Sequence, residues 1–230
     1  MNKVKFKLTS NLFAIIVLIL LTYFDFDIIN SRAQDDFRIR NTNMFMDTIG
    51  HIHIIGELEN ISDEPKRNVG IYANFIDADG TRVANASAGT AVRSLNQGYT
   101  SPFELLLLDN ALAKKVASYL LEFKGDDGLT KSYSLELLSA EDYRDIYGFY
   151  HINGKVLNQG NKTATNTLVI SSFYDHNRTI MHVAKALTEP RNITEGNEAS
   201  FSLVMDNRDW SHKVRNFTLT IDSDQYVSLQ

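Results

Sequence analysis

The sequence contains no cysteine, so no disulfide can stabilise the fold and no thiol can act as a nucleophile or a metal ligand. It also lacks an excess of positive charge, because 23 lysines and arginines stand against 28 aspartates and glutamates, for a net charge of −5. Nucleic-acid backbones attract basic proteins, so an acidic chain is a poor partner for them. Stability must therefore come from packing, and we expect no binding to nucleic acid.

A hydrophobic run long enough to span a bilayer is missing as well. The apolar stretch Leu12–Phe24 is shorter than the roughly 20 residues of a membrane helix. Three lysines within the first seven residues precede it, and the small-x-small triplet SRA follows at residues 31–33, which is the layout of a cleaved secretory signal. We therefore predict that residues 1–33 are a signal peptide and that Gln34 is the mature terminus.

A second interpretation of this segment stays open. Residues 25–32 are long and charged for a cleavage region, and in the alternative residues 8–24 remain uncleaved as an N-terminal membrane anchor. In both cases the lysines stay in the cytoplasm and the rest of the chain faces outside. Removal of residues 1–33 would take away four basic and two acidic residues and leave a net charge of −7.

Catalytic motifs are absent too. Serine and histidine occur, but no serine lies in a G-x-S-x-G setting or in a comparable arrangement with a base. The acidic turn Asp77–Gly80 lacks the glutamate that completes a calcium loop. We therefore expect no enzyme activity and no cofactor.

The chain does contain a long internal repeat. The pentapeptide GELEN at Gly56–Asn60 returns as GKVLN at Gly154–Asn158, an offset of 98 residues. The same offset, without a gap, aligns further identical residues: Asn68 with Asn166, Phe75 with Phe173, Asp77 with Asp175, Thr81 with Thr179, Arg93 with Arg191, Gly98 with Gly196, Phe103 with Phe201, Leu105 with Leu203, Val116 with Val214 and Leu121 with Leu219. A period of this size is that of a small sandwich domain, so the sequence indicates a tandem duplication.

Each copy shows the period-2 alternation of β-strands. The residues of one predicted strand face are Val69, Ile71, Ala73 and Phe75 in the first copy and Val169, Ser171 and Phe173 in the second. In the strand before, Ile52, Ile54 and Leu58 are expected inward and His53, Glu57 and Glu59 outward. Short strands with a turn signal about every eight to twelve residues indicate antiparallel β-sandwiches.

The pentapeptide is interpreted as the end of a β-strand, with the same local structure in both copies. Its glycine allows a close backbone approach or a bulge, and its asparagine can bond nearby backbone groups where the chain leaves the sheet. The next strand ends in the hairpin turn Asp77–Gly80, where Gly80 can supply a positive φ. In the second copy, Asn177 is expected to play a similar part.

The order of these motifs resembles a known family. The first motif is G-x-h-x-N, where h is a hydrophobic residue. It is followed by a strand that ends in FIDADG in the first copy and in FYD in the second, and then by L-x-x-G-x-x-x-x-F at Leu95, Gly98 and Phe103. This succession resembles the FxLYD-type domain, an immunoglobulin-like sandwich of exported prokaryotic proteins. The second copy departs from it, because it lacks the D-x-D-G turn and has Ile193 in place of leucine. The resemblance covers roughly residues 36–230; it implies a fold and an extracytoplasmic setting, and it brings no catalytic residues.

The expected fold class is therefore all-β, with two tandem immunoglobulin-like antiparallel β-sandwiches after the N-terminal signal or anchor segment. The expected domains are residues 34–138 and 139–230. Ser132–Leu138 is predicted to be the closing strand of the first sandwich, and residues 139–146 are predicted to be a short linker without glycine or proline.

Candidate site residues fall into three groups. His51 and His53, two apart on a strand, share a face and could jointly hold copper or zinc, with an exposed polar strand face as the alternative. Leu106 and Leu108 break the alternation of their strand, so a second surface should cover them, either the second domain or a partner. Trp210 could anchor a ligand or plug a sandwich edge. Glycosylation sequons begin at six asparagines: Asn60, Asn85, Asn161, Asn177, Asn192 and Asn216.

The leading functional hypothesis is a non-catalytic binding or spacer module of the cell envelope. Its partner would be an unknown envelope protein or a glycan. The alternative is an extracytoplasmic copper or zinc carrier that uses His51 and His53.

Overall fold

The computed structural model describes residues 36–132, 134–205 and 207–224. The predicted signal or anchor segment, residues 1–33, lies outside the described residues. Within the described ranges the chain is all-β and sandwich-like, with antiparallel strand pairs in every sheet, which confirms the predicted fold class at this level. In the same ranges no helix is long and apolar enough to cross a membrane.

Thirteen strands and two short helices are present in the part of the chain that the structure describes. The strands are β1 (Phe37–Met46), β2 (Ile52–Asn60), β3 (Lys66–Ile76), β4 (Arg82–Gly89), β5 (Ser94–Leu95), β6 (Thr100–Leu107), β7 (Ser118–Asp127), β8 (Leu135–Arg144), β9 (Tyr150–Asn158), β10 (Leu168–Tyr174), β11 (Ile180–Leu187), β12 (Glu198–Met205) and β13 (Asn216–Asp222). The helices are α1 (Asn110–Ala113) and α2 (Arg208–Ser211).

The strands pair in the same order in the two halves of the chain. β1–β2–β6 and β4–β3–β7, with the short β5 beside β3, form the sheets of the N-terminal half. β8–β9–β12 and β11–β10–β13 form those of the C-terminal half. β1 and β8, β2 and β9, β4 and β11, and β6 and β12 each begin and end 98 positions apart, which is the offset of the sequence repeat.

Strand β8 corrects two expectations. Ser132–Leu138 does not close the first sandwich; instead β8 pairs with β9 from Leu135 opposite Asn158 to Arg144 opposite Tyr150, and β7 is the strand beside β3. Most of the predicted linker 139–146 is therefore strand, and the expected boundary between residues 138 and 139 lies inside β8. A period-2 pattern identifies a strand but not the strand with which it pairs. Alternation alone therefore cannot show which sheet this segment joins.

The repeated glycine makes room for an aromatic ring. Gly56 lies opposite Phe103 in the register of β2 and β6, and a Cβ on Gly56 would come within 2.5 Å of that ring. Gly154 lies opposite Phe201 in the same way, and a Cβ there would come within 2.6 Å of the ring. Because both rings are buried, the glycine is a packing requirement in each half of the chain.

The repeated asparagine fastens the loops at the end of the strand. The side chain of Asn60 is fully buried; its Nδ2 donates to the carbonyls of Glu64 at 2.8 Å and Leu95 at 2.9 Å, and its Oδ1 accepts from the Ser62 N–H at 3.0 Å. Its backbone carbonyl accepts from Gly98. Asn60, Leu95 and Gly98, which lie up to 38 positions apart in the sequence, thus meet at one place in the fold.

Asn158 repeats this arrangement in the C-terminal half. Its Nδ2 donates to Lys162 and Ile193 carbonyls, both at 2.8 Å, and its Oδ1 accepts from Gly160 at 2.9 Å. Ile193 stands where the first copy has Leu95, and because the contact uses the backbone carbonyl, either side chain serves.

Two hydrophobic cores are present among the described residues, and one of them, here called the shared core, contains side chains from both halves of the chain. β10 is buried on both faces: Val169 and Phe173 pack in the core of the C-terminal half, whereas Ile170 and Tyr174 belong to the shared core. Ile55, on the outward face of β2, is fully buried in this shared core. The C-terminal half therefore covers part of the outward face of the sheet β1–β2–β6, around Ile55.

Polar contacts fix the packing of the two halves. Asn41 Nδ2 donates to the Arg178 carbonyl at 2.7 Å and Asn43 Nδ2 to the Ile180 carbonyl at 3.0 Å, so β1 is tied to the start of β11. The buried Lys131 ammonium lies 2.6 Å from an Asp222 carboxylate oxygen. Charged groups this deeply buried are costly when unpaired, so the ion pair favours a single arrangement of the halves.

Polar residues on the outer faces take the place of apolar residues of the shared core. Ile170 and Ile180 of the shared core correspond, by the offset of 98, to Tyr72 and Arg82, which are exposed on the outer face of the N-terminal half. Ile55 corresponds to Asn153 on the opposite outer face. The outer faces are thus more polar than the joined ones, which disfavours a third sheet packing against them.

The Tyr174 hydroxyl donates to Glu57 Oε1 at 2.5 Å across the two halves. Burial, reinforced by this hydrogen bond, raises the pKa of Tyr174 to about 12. The folded state thus favours the neutral phenol, so its contribution to stability is fully present below the ordinary value of 10 and is lost as pH rises towards about 12.

The variant Tyr174→Phe should therefore lose less stability than the parent protein when the pH rises from about 9 to about 11, because the phenol that ionises on unfolding is gone. Urea denaturation at the two pH values measures this. The other tyrosines are common to both proteins and cancel in the comparison. An equal loss in parent and variant would contradict the assignment.

Candidate functional site

A cleft of about 510 Å³ opens where the two halves meet. The N-terminal half contributes Phe45, Asp47, His53 and Glu104, and the C-terminal half contributes residues from β11 and from around α2, including Trp210. Most residues that line the cleft are polar or charged, and they lie beside the aromatic rings of Phe45 and Trp210. Concave sites in which several polar groups converge are candidates for ligand binding. The cleft is therefore the candidate functional site.

Asp47 begins a hairpin turn that shapes one wall. Its Oδ1 accepts from the N–H groups of Ile49 at 3.0 Å and His51 at 2.8 Å. Burial would raise the pKa of this carboxyl, but the His51 N–H together with bonds from His53 and Ile49 outweighs it, so the pKa lies below its usual range. Asp47 is an anion at neutral pH.

Four turns among the described residues share this geometry, three of them with the sequence D-x-x-G and the fourth with Arg178 in place of the glycine. They begin at Asp47, Asp77, Asp145 and Asp175, and in each the aspartate Oδ1 accepts from two N–H groups further along the turn. The residue at the fourth position has a positive φ, which is 82° at Gly80 as predicted. In the turn at Asp175 the left-handed residue is Arg178, with φ 64°, and not Asn177, so that expectation is corrected.

His53 is held between two carboxylates. Its Nδ1 lies 2.9 Å from Glu104 Oε1 and its Nε2 lies 3.2 Å from Asp47 Oδ2. The Phe45 ring stacks on the imidazole with centroids 4.8 Å apart. Both ring nitrogens are thus engaged within the protein.

The same aromatic–histidine–aspartate group recurs in the C-terminal half. His151 Nε2 lies 2.9 Å from Asp145 Oδ2, and the Tyr143 ring stacks on His151 with centroids 4.9 Å apart. The group around His151 lies outside the cleft, so binding in the cleft does not explain it. Stabilisation of the hairpin explains the group in both copies. Hydrogen bonding to His151 in turn lowers the pKa of Asp145.

The predicted metal pair does not form a ligand cluster. His51 Nδ1 lies 3.4 Å from Asp47 Oδ2, the same carboxylate that His53 contacts. In residues 36–132, 134–205 and 207–224 no group of three or more histidine, aspartate or glutamate side chains has the geometry to hold a metal ion. The histidines are better explained by their bonds to the hairpin, so the metal-carrier alternative gains no support.

Of the predicted interface residues, Trp210 lines this cleft, whereas Leu106 and Leu108 lie outside its lining. Trp210 lines it and packs on Phe45 with ring centroids 4.2 Å apart, which joins the two halves at the cleft wall. Leu106 lies beside His53 in the strand register, yet it is 41% exposed, and Leu108 is 61% exposed. The C-terminal half therefore does not cover these leucines, and of the two expected covering surfaces only a partner stays a prediction.

The structure separates the six sequons. Asn85, Asn161, Asn177, Asn192 and Asn216 are exposed, whereas Asn60 is fully buried with both amide hydrogens donated to carbonyls. A glycan cannot be attached to that nitrogen in the folded protein. Asn60 is thus a structural residue, which corrects its place among the candidate acceptors.

Sequence reasoning missed Phe45, Asp47 and Glu104. A signal was present for the first two, because the offset of 98 continues upstream of the pentapeptide and aligns Asp47 with Asp145 and Phe45 with Tyr143. No such signal marks Glu104, whose counterpart is Ser202. Its position follows only from the pairing of β6 with β2.

No protein-family model and no curated protein matches the chain. Among solved structures, the exo-chitosanase CsxA of Amycolatopsis orientalis is similar at a TM-score of 0.28 and 10% identity, over 80% of this chain and 25% of that chain. Red sea bream transglutaminase is similar at a TM-score of 0.25 and 9% identity, over 81% of this chain and 30% of that one. Scores this low carry no argument about function.

Proposed function

We propose that this protein is a non-catalytic binding module of the cell envelope, built from two duplicated immunoglobulin-like sandwiches. The observation that carries the proposal is the cleft, since its walls come from both halves and hold aromatic rings beside polar groups. The equal strand orders at one offset support the duplication.

A binding role is favoured over catalysis by the arrangement of the cleft carboxylates. Asp47 and Glu104 both contact His53, and both ring nitrogens of that histidine are used in these contacts. A general base needs a nitrogen free to take a proton from substrate or water. The same histidine–aspartate contact at His151 supports a structural role for the group.

The proposed location is outside the cytoplasm, either secreted or anchored. It rests on the lysines and the apolar run of the N-terminal segment. Mass spectrometry of the protein recovered from its host should find Gln34 as the first residue. An intact Met1 in the membrane fraction would instead favour the anchor, and an intact Met1 in the cytosol would contradict export.

The binding role is tested by photo-cross-linking in the native host. A photoreactive amino acid at Thr48, in the cleft, should yield one defined adduct, whereas the same group at Ser87, exposed on β4 in the outer sheet of the N-terminal half, should not. Mass spectrometry of the adduct identifies the partner as protein or glycan. No adduct from Thr48, or equal adducts from both positions, would contradict a binding cleft and leave only a spacer role.

A further inference from the structure

Comparison of the two copies shows what is particular to the cleft. The stacked aromatic, the histidine and the turn aspartate occur in both halves and are explained by hairpin stability. Three surface positions differ: Ile49, Glu104 and Leu106 correspond to Tyr147, Ser202 and Val204. Only the first copy therefore joins a carboxylate to branched aliphatic side chains next to Trp210.

Three exposed aliphatic side chains, on the turn after β1 and at the end of β6, are here together named the apolar shoulder: Ile49, Leu106 and Leu108. Ile49 is 65% exposed, and its carbonyl accepts from the Asn110 side chain at 2.7 Å, which holds the turn against the start of α1. Leu108 lies two residues before Asn110, so the shoulder is anchored to secondary structure. Apolar side chains grouped beside a cleft are typical of protein-binding surfaces.

The charges of the cleft are mainly negative. Its walls carry the carboxylates of Asp47, Glu104 and Asp209 against the single guanidinium of Arg208, whose Nε lies 4.0 Å from Asp209 Oδ1. The lowered pKa of Asp47 keeps that group ionised. Glu104 is the acidic group nearest the shoulder in the strand, two residues before Leu106, and its side chain is 32% exposed. A basic side chain would meet opposite charge there.

We propose that the cleft and the apolar shoulder bind a polypeptide segment in which a basic side chain is flanked by apolar ones. The Lys213 ammonium already lies 5.7 Å from the centroid of the Trp210 ring, so the carboxylate of Glu104 is the group that attracts the incoming cation. The basic group therefore enters the cleft near Glu104. The flanking apolar side chains cover Leu106 and Leu108. This inference rests on the proposed binding function and adds the chemistry of the partner.

Trp210 allows a direct test, because it is the one tryptophan of the chain and lines the cleft. The probes are three synthetic peptides of equal length that alternate leucine with arginine, leucine with glutamate, or serine with arginine. Binding is followed by Trp210 fluorescence and by calorimetry. The leucine–arginine peptide should bind about tenfold or more tightly than either of the others.

Matched variants locate the binding surface. Glu104→Gln and Leu106→Ser should each weaken the leucine–arginine peptide about five- to tenfold. The control Val204→Ser, an exposed residue at the equivalent position of the second copy, should leave its affinity unchanged. Circular dichroism of each variant confirms that the fold is retained, and salt should weaken the parent complex but affect the Glu104→Gln complex less.

The outcomes separate this inference from the proposed function. Equal affinity for the arginine and glutamate peptides, or equal weakening by Leu106→Ser and Val204→Ser, overturns the basic–apolar partner. If Thr48 then cross-links a glycan, the binding function stands and only the partner chemistry is wrong. If no peptide alters Trp210 fluorescence and Thr48 gives no adduct, both proposals fall.

Discussion

Truncation of Phe173 to alanine is expected to lower the free energy of unfolding by about 3–5 kcal/mol, which is enough to unfold a protein of ordinary stability. Phe173 is fully buried, and so is its repeat partner Phe75, for which the same loss is expected. Each truncation leaves a cavity in a core that cannot close around it. Urea denaturation followed by circular dichroism measures the loss.

The shape of the transition is as informative as its midpoint. Because Ile170 and Tyr174, on the same strand as Phe173, lie in the core of the N-terminal half, the two halves should unfold together. Phe75→Ala and Phe173→Ala should therefore each shift one single transition. The control Leu106→Ala, at an exposed position, should change stability by less than about 0.5 kcal/mol. A transition in two steps, with one half lost first, would contradict the shared core.

Exchange of Asn60 for aspartate should lower the free energy of unfolding by about 3 kcal/mol or more, although the two side chains have nearly the same shape. The carboxylate cannot donate, so the carbonyls of Glu64 and Leu95 would lose their buried partner. A charge would also be buried, because the side chain is fully enclosed. Asn158→Asp should have the same effect on the second copy.

Asn85→Asp is the matched control for these exchanges. Asn85 is exposed on β4, so the same chemical change should cost less than about 0.5 kcal/mol. Thermal and urea denaturation of the three variants decide the comparison. If Asn60→Asp lowered the free energy of unfolding by less than about 1 kcal/mol, the Asn60 amide would not be what holds the loops at Glu64 and Leu95 in place.

Local parts of the fold were predictable because their causes lie within a few residues or within the repeat. The asparagine that bonds backbone where the strand ends and the positive φ of Gly80 follow from such local chemistry. The burial of Phe75 and Phe173 follows from strand alternation. The repeat also extends upstream to the hairpin turn at Asp47, because the offset of 98 aligns Asp47 with Asp145.

The packing of the two halves was not predictable in the same way. Alternation divides a strand into two faces, but it does not say whether solvent or another sheet covers the outer one. His53, Glu57 and Glu59 suggested solvent, whereas the fully buried Ile55 in the same row marks the contact with the C-terminal half. The cleft was therefore not predictable from the alternation either, because its walls come from both halves and depend on how the halves pack.

The central claim is that the two halves pack as one body with the cleft at their joint, and a double-mutant cycle on Glu57 and Tyr174 tests it most directly. These residues are 117 positions apart and meet through a hydrogen bond of 2.5 Å. The free energy of unfolding is measured for the parent, Glu57→Gln, Tyr174→Phe and the double variant. If the two side chains are in direct contact, the coupling energy should be about 1 kcal/mol or more. Losses of stability that add within about 0.3 kcal/mol would show that the halves do not meet there.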